Sequence, residues 1–299
     1  MKVSAIVNTV NGILNIDKPA GMTSHDVVGR IRRVAQQKRV GHAGTLDPDA
    51  TGVLLICLGT ATRLADYLAA ERKAYRATLA LGATTTTEDA SGEVLARLDT
   101  GDITEADLAI LLPQFTGEIS QIPPMVSALH HEGKRLYELA RQGVTVERAA
   151  RTITIDSITL SSFVLGEAAS ATLDVVCGKG TYIRTLCADL GAALGVGGHM
   201  AALRRTRIGV FGIETAIPLD DLMPENLPAL LVSPSEALAH FPVYRLTEAA
   251  ERNDIAHGRS LSWALPAAAV VRIVDAEDQL FALGRADGER LHPFKVFGS

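Results

Sequence analysis

The chain has 299 residues, 47% of them hydrophobic and 21% charged, which excludes a disordered polymer and leaves room for one large and one small domain. A net charge of −5 argues on its face against a polyanionic partner, no apolar run attains the length of a membrane span, and Met1-Lys2-Val3 does not open a secretory leader. Cys57, Cys177 and Cys187 stand far apart without zinc-type spacing, so they read as reduced core thiols of a cytoplasmic protein, and with no nucleotide, metal or flavin signature in the chain no cofactor is expected.

Residues 12–16 read as a short strand ending at Lys18-Pro19. Thr23 and Asp26 then make a capping-box start for a helix whose inward side is Val27, Ile31, Val34 and Ala35. Residues 41–52, Gly41-His42-Ala43-Gly44-Thr45-Leu46-Asp47-Pro48-Asp49-Ala50-Thr51-Gly52, bend sharply around one carboxylate and run straight into an apolar strand at 53–58. Asp47 is thereby fixed at the mouth of a core strand. A short carboxylate held there suits a nucleophile or base, and an Asx-turn before Pro48 is the plainer alternative.

Further along, 61–68 is predicted helical, 74–81 a strand bearing Tyr75 near its start, and 104–112 an acidic amphipathic helix. Residues 121–151 open with Gln121-Ile122-Pro123-Pro124 and end rich in arginine, as an excursion from the core would. Strands are expected at 153–160 and 171–177, a helix at 181–194, and a linker where Pro218, Pro224, Pro228 and Pro234 recur. Beyond Phe241, short strands at 270–274 and 279–283 alternate with turns such as Asp287-Gly288. The fold class is therefore α+β, a mixed, largely antiparallel sheet with helices in residues 1–240 and a small β-rich module in 241–299.

The charge is unevenly spread. Residues 1–76 hold 11 Lys and Arg against 6 Asp and Glu and residues 126–207 hold 10 against 7, whereas 77–125 hold 1 against 8 and 208–299 hold 7 against 13. Basic clusters at Arg30 to Arg39, at Lys134, Arg135 and Arg141, and at Arg204, Arg205 and Arg207 bracket the Asp47 turn, a distribution suited to a phosphate backbone. A second constellation, Gly178-Lys179-Gly180-Thr181-Tyr182-Ile183-Arg184-Thr185, runs from a strand end into a helix but lacks the GK[ST] order of a P-loop. It delivers Tyr182 and Arg184 from a helix start. Arg184 is a candidate to keep Asp47 ionised through a forked ion pair, with a purely structural salt bridge as the alternative.

Taken together with Lys73-Ala74-Tyr75-Arg76, Gly133-Lys134-Arg135-Leu136-Tyr137-Glu138-Leu139-Ala140-Arg141 and Leu203-Arg204-Arg205-Thr206, these segments resemble the bacterial tRNA pseudouridine synthase B family across residues 12–210. Val126 and His130 depart from that pattern, where a Tyr and a Lys are usual. The resemblance implies isomerisation of the uridine at position 55 in the T-loop of tRNA, by a monomer that needs no protein partner. It implies Asp47 as nucleophile, Arg184 as its partner, Tyr75 stacked on the target base, His42 and Tyr182 as substrate contacts, and Leu203 lining the base pocket. It also implies that 121–151 is a thumb closing over RNA and 241–299 a PUA-like RNA-binding domain. Arg63, Lys134, Arg135, Arg141, Arg204 and Arg205 are expected to contact RNA phosphates.

Such chemistry must extract the base from its stack, and an aromatic face at Tyr75 would return roughly 1 to 3 kcal/mol. The reaction breaks the N1–C1′ bond, rotates the uracil and forms C5–C1′, with no redox change. Whether Asp47 attacks C1′ or C6, or assists elimination on the sugar, stays open at this point. An RNA-folding protein without turnover and the catalytic subunit of a guide-RNA ribonucleoprotein are the competing readings.

Overall fold

The computed structural model describes residues 10–298 apart from 128, 129, 132, 137, 138, 140, 141, 145, 167 and 168. The chain begins β1 (Gly12–Lys18), α1 (Ser24–Val34), β2 (Val40–Ala43), β3 (Thr51–Leu58), a 3-10 turn, α2 (Ala65–Ala70) and β4 (Lys73–Leu81). The hairpin β5 (Ala83–Thr85) and β6 (Val94–Arg97) precedes α3 (Glu105–Leu111), β7 (Gly117–Gln121) and the two-residue strands β8 (His130–His131) and β9 (Lys134–Arg135). There follow β10 (Arg151–Val164), β11 (Ser170–Cys177), α4 (Ile183–Ala193), β12 (Gly198–Ile208), β13 (Phe211–Gly212) and β14 (Ile217–Pro218). Short helices α5 (Leu227–Leu230) and α6 (Pro234–Ala237) lead to β15 (Val243–Arg245), α7 (Ala249–Ala256), β16 (Leu261–Ser262), β17 (Ala268–Val274), β18 (Leu280–Ala286) and β19 (Arg290–Val296).

The main sheet runs β14-β1-β3-β12-β4-β11-β10-β7, with β2 on β3 and β13 on β12. Only β1–β14 and β3–β12 pair in parallel, so the sheet is mixed and largely antiparallel, as expected. The apolar run of β3 is continuous because both faces of the strand are covered. Leu54, Ile56 and Leu58 face a cluster shared with α1 and α4, while Val53, Leu55 and Cys57 face Leu64, Leu68 and Phe211. The three cysteines are buried and unpaired, and burial pushes their thiols up to about 12, 11 and 12.

Helix α1 starts as predicted: Thr23 accepts from the Asp26 N–H, and Asp26 returns the contact to the Thr23 backbone. A second capping box, Thr104 with Asp107, starts α3. The helix expected at 61–68 is tighter over its first half, being 3-10 through Leu64, and the one expected at 181–194 begins two residues later, with Tyr182 as its N-cap. The largest departure is β12, an eleven-residue strand in the centre of the sheet where the sequence suggested a basic cluster. No helix among the described residues is long and apolar enough to cross a membrane.

Residues from Val243 onward build a second sheet, β15-β17-β18-β19-β16, around Trp263, Ile273, Phe281 and Leu291. This sheet is fastened to the first. Lys295 lies 4.8 Å from the Tyr67 ring centre and donates to the Arg63 carbonyl, while Arg63 donates to the Val296 carbonyl and lies over Phe297. Arg272, buried, donates to the carbonyls of Ser235, Ala239 and Phe241, tying the linker to β17. Arg272→Met would strand these carbonyls and is expected to cost roughly 3 kcal/mol, read as a lowered urea midpoint.

Candidate active site

The turn that carries Asp47 is held from four directions. Lys18 Nζ and the Gly21 N–H both donate to the Pro48 carbonyl, at 2.8 and 3.0 Å. Ser24, in the first turn of α1, accepts from the Leu46 N–H and donates to its carbonyl, at 2.9 and 3.1 Å. Arg205 on β12 donates to the carbonyls of Gly44, Thr45 and Val53. Gly52 closes the turn at φ +100°, where an added Cβ would stand 2.1 Å from the Arg205 carbonyl oxygen. Only glycine admits that approach. With its backbone so fixed, Asp47 turns its carboxylate outward to Arg184 instead of back into its own turn.

Arg184 projects from the first turn of α4, whose start is set by Gln121. That side chain accepts from the Tyr182 N–H and donates to the Tyr182 carbonyl, at 2.9 and 3.0 Å. The Arg184 guanidinium is 5% exposed and serves four acceptors: Asp47 Oδ2 at 3.1 Å through Nε, Asp89 Oδ2 at 3.4 Å, and the carbonyls of Thr87 and Val126. Nε faces Asp47 while Nη1 serves Asp89 and Thr87 and Nη2 the Val126 carbonyl, so the guanidinium expected to fork onto Asp47 is divided among four acceptors. Asp89 is in turn steadied by Thr87 Oγ1 and Ser91. No role in the site was legible for Asp89 in the sequence, because its partner Arg184 lies 95 positions further along the chain.

Arg184 does favour the ionised form of Asp47, but it acts against a larger influence. The Asp47 pKa is raised above the ordinary 3.8: burial dominates, Asp89 and Asp49 add to it, and Arg184 and Lys18 offset only part. The side chain is 40% exposed by area, but that area faces a concave cleft, so protein surrounds the charge. Nearby amines feel the same enclosure. Lys18 and Lys73 are pushed down to about 8 by burial, with Arg205 acting in the same direction on both. His42 is lowered by burial and Arg205, so its ring is neutral near pH 7.

The cleft, about 1320 Å³, is lined by His42, Asp47, Tyr75, Tyr182, Arg184 and Leu203. These six come from β2, the turn, β4, the start of α4 and β12, so the sheet gathers what the chain scatters over about 160 positions. Tyr75 is 8% exposed and stands opposite Arg205 in the β4–β12 register, and burial raises its phenol pKa against the pull of Arg205. Lys18, Lys73 and Asp89 are the neighbours that sequence reasoning missed. Lys18 is wholly buried, yet it stands in Asn15-Ile16-Asp17-Lys18, where three of four residues are polar, so its local sequence carried no signal for it.

The six basic residues expected on phosphates fare differently. Arg205 is 1% exposed with its guanidinium spent on backbone carbonyls, so it offers nothing to a phosphate, a correction that follows from β12 being central. Arg204 is partly exposed and paired with Asp17 at 2.7 Å, and Arg63 is engaged with the C-terminal sheet. Lys134 and Arg135 lie on β9, and Arg141 lies outside the described residues.

The chain and its fold are also similar to known proteins. Residues 32–183 match the N-terminal domain of the TruB family of pseudouridylate synthases, and 184–230 match the tRNA pseudouridylate synthase B C-terminal domain. The chain is similar to proteins named tRNA pseudouridine synthase B. That of Syntrophotalea carbinolica is 50% identical over 236 residues, covering 78% of this chain and 76% of the relative. Those of Mycobacterium tuberculosis and Moorella thermoacetica are 47% identical, covering 95% of each chain, and 44% identical, covering 96% and 99%. Among solved structures, a chain of a Cbf5-Nop10-Gar1 complex superposes with a TM-score of 0.72 at 30% identity, covering 96% of this chain and 84% of that one. A chain of an H/ACA RNP bound to a substrate RNA containing 2′-deoxyuridine superposes with a TM-score of 0.70 at 28% identity, covering 96% and 85%. With both matched domains adjoining in sequence and the convergent cleft lying where they meet, this chain belongs to the TruB family of pseudouridylate synthases.

Proposed function

We propose that the protein isomerises uridine to pseudouridine at position 55 in the T-loop of tRNA, acting as a cytoplasmic monomer without a guide RNA, with Asp47 as the nucleophile. The observation that carries this reading is the convergence of Asp47, Arg184, Tyr75 and Leu203 in one cleft wide enough to take an extruded nucleotide. Asp47 attacks C1′ or C6, or assists elimination on the sugar; the N1–C1′ bond breaks, the uracil turns within the pocket, C5 joins C1′, and any bond made by the Asp47 carboxylate is broken again to release it. The proton lost from C5 is balanced by the one gained at N1. Tyr75 and Leu203 enclose the base, which must be flipped out of its stack to be reached. Tyr75 is the candidate stacking partner, and His42 and Tyr182 line the path of the nucleotide.

The division proposed is a catalytic domain at 1–240, an insertion at 121–151 that closes over RNA, and a PUA-like RNA-binding domain at 241–299. Its support is the self-contained β15–β19 sheet, with its own apolar cluster. Lys134, Arg135, Arg141, Arg63 and Arg204 remain the proposed phosphate contacts, with Arg205 withdrawn.

The test is incubation of purified protein with an unmodified tRNA transcript carrying tritium at uridine C5, followed by chemical mapping. One equivalent of tritium released and one pseudouridine mapped at position 55 are expected. Release only when a guide RNA is added would favour the ribonucleoprotein reading, and RNA binding without release would leave a folding or scaffolding role.

A further inference from the structure

Arg205 is the largest wholly buried side chain among the described residues, and it stands at the junction of the two pieces of the cleft floor. Its strand, β12, lies between the strand that follows the Asp47 turn and the strand that carries Tyr75. In the parallel register with β3 it stands opposite Gly52, and in the antiparallel register with β4 it stands opposite Tyr75. The ladder slips between Arg205 and Arg207, a bulge that re-aims side chains at this level. The guanidinium donates to Gly44 and Thr45 at the entry of the turn, at 3.1 and 3.3 Å, and to Val53 just beyond its exit, at 2.7 Å.

We infer that Arg205 is a positioning residue: from beneath the cleft floor it fixes both ends of the Asp47 turn relative to Tyr75, and so sets the distance between carboxylate and phenol without touching RNA. This deepens the proposed isomerase reading and rests on it. Two features make the arginine fork apt for the task. Its five N–H donors in one plane reach three carbonyls from two segments, which a lysine ammonium on a flexible stem cannot do with the same rigidity. And an arginine donates only, so any contact it makes with the Tyr75 oxygen leaves the phenol hydrogen free to point into the cleft. The ionisable groups around that phenol are Lys73, Cys177 and Asp47 besides Arg205 itself.

Arg205→Lys and Arg205→Gln test the inference on full-length protein, with the tritium-release assay under single turnover, tRNA affinity as a function of salt, and thermal unfolding. The expected result is a folded Arg205→Lys whose single-turnover rate falls about 30-fold or more, with Arg205→Gln falling further. Dissociation constants and salt slopes should match the wild type within about threefold. A phosphate contact would instead weaken binding, lower the salt slope by about one and spare the rate, and that outcome overturns the inference. A rate within about twofold of wild type in both variants also overturns it, as does loss of the fold in both, which would make Arg205 a residue of the fold alone. Absence of tritium release from the wild type would sink the isomerase reading itself, and is thereby distinguished from failure of the positioning role.

Discussion

Asp47→Asn is expected to lower pseudouridine formation by at least about 10⁴-fold while tRNA affinity stays within a few fold. The asparagine keeps the shape and can still accept from Arg184, and the turn is held by Lys18, Ser24, Gly21 and Arg205 through backbone atoms that do not depend on the carboxylate. What disappears is the negative charge and its nucleophilicity. Single-turnover tritium release with filter binding on the same preparation separates the two quantities. Turnover near the wild-type rate in a folded Asp47→Asn protein would remove this residue from the chemistry.

Substitution of Arg184 is expected to have the next largest effect, and its sign can be worked out from the site. Burial raises the pKa of Asp47, Arg184 is the strongest influence in the opposite direction, and Asp89 reinforces burial. In Arg184→Gln the lowering influence is gone, so Asp47 stays protonated to higher pH and the acid limb of kcat/KM moves up. Activity at pH 6 should then suffer more than at pH 8.5, on top of a fall of about 10²-fold or more from lost orientation. Asp89→Asn removes a raising influence while keeping an acceptor for Thr87 and Ser91, so its acid limb should move down. Opposite shifts from two residues that touch the same guanidinium are hard to obtain from general damage to the fold. Arg184→Gln also leaves Asp47 and Asp89 facing each other without their shared cation and strands the carbonyls of Thr87 and Val126. A loss of roughly 3 to 5 kcal/mol in unfolding free energy is expected, measured by urea titration. Identical pH profiles in wild type, Arg184→Gln and Asp89→Asn would rule out this electrostatic coupling.

The shared guanidinium also reconciles the raised pKa of Asp47 with the nucleophilic role proposed for it. A carboxylate that is fully paired and solvated is stable and unreactive, whereas Asp47 lines an enclosed cleft with part of its surface open to it and Arg184 3.1 Å away. The turn supplies the rigidity that a charge facing the cleft needs, because all of its fixings reach the backbone on either side of Asp47. The carboxylate itself is left to its partner and to the substrate.

Much of this was legible from residue order alone wherever the signal was local. The capping box at Thr23, the continuous apolar run of β3 and the alternation of β4 and β11 act over a few positions, and each formed the element expected of it, whereas the bend expected over 41–52 is confined to 44–50 because 40–43 pair with β3 as strand β2 and β3 starts at Thr51. The convergent six side chains were named from the sequence through motifs, and the fold places them in one cleft. Only tertiary structure decided the rest. Strand β12 hid because its hydrophobic pattern is broken by Arg204, Arg205 and Arg207, and a local reading takes consecutive arginines for a solvated surface. A cation can occupy the centre of a sheet only if distant carbonyls come to meet it, and Gly44, Thr45 and Val53 are some 150 residues away along the chain. The same holds for Asp89: its partner Arg184 is 95 positions distant, and the competition between burial and pairing that raises the pKa of Asp47 exists only once those segments meet. The sequence by itself determined which groups are available and which turns present them, because those depend on neighbours in the chain. Which charges are buried, which are shared and which are free to bind a substrate depended on neighbours in space.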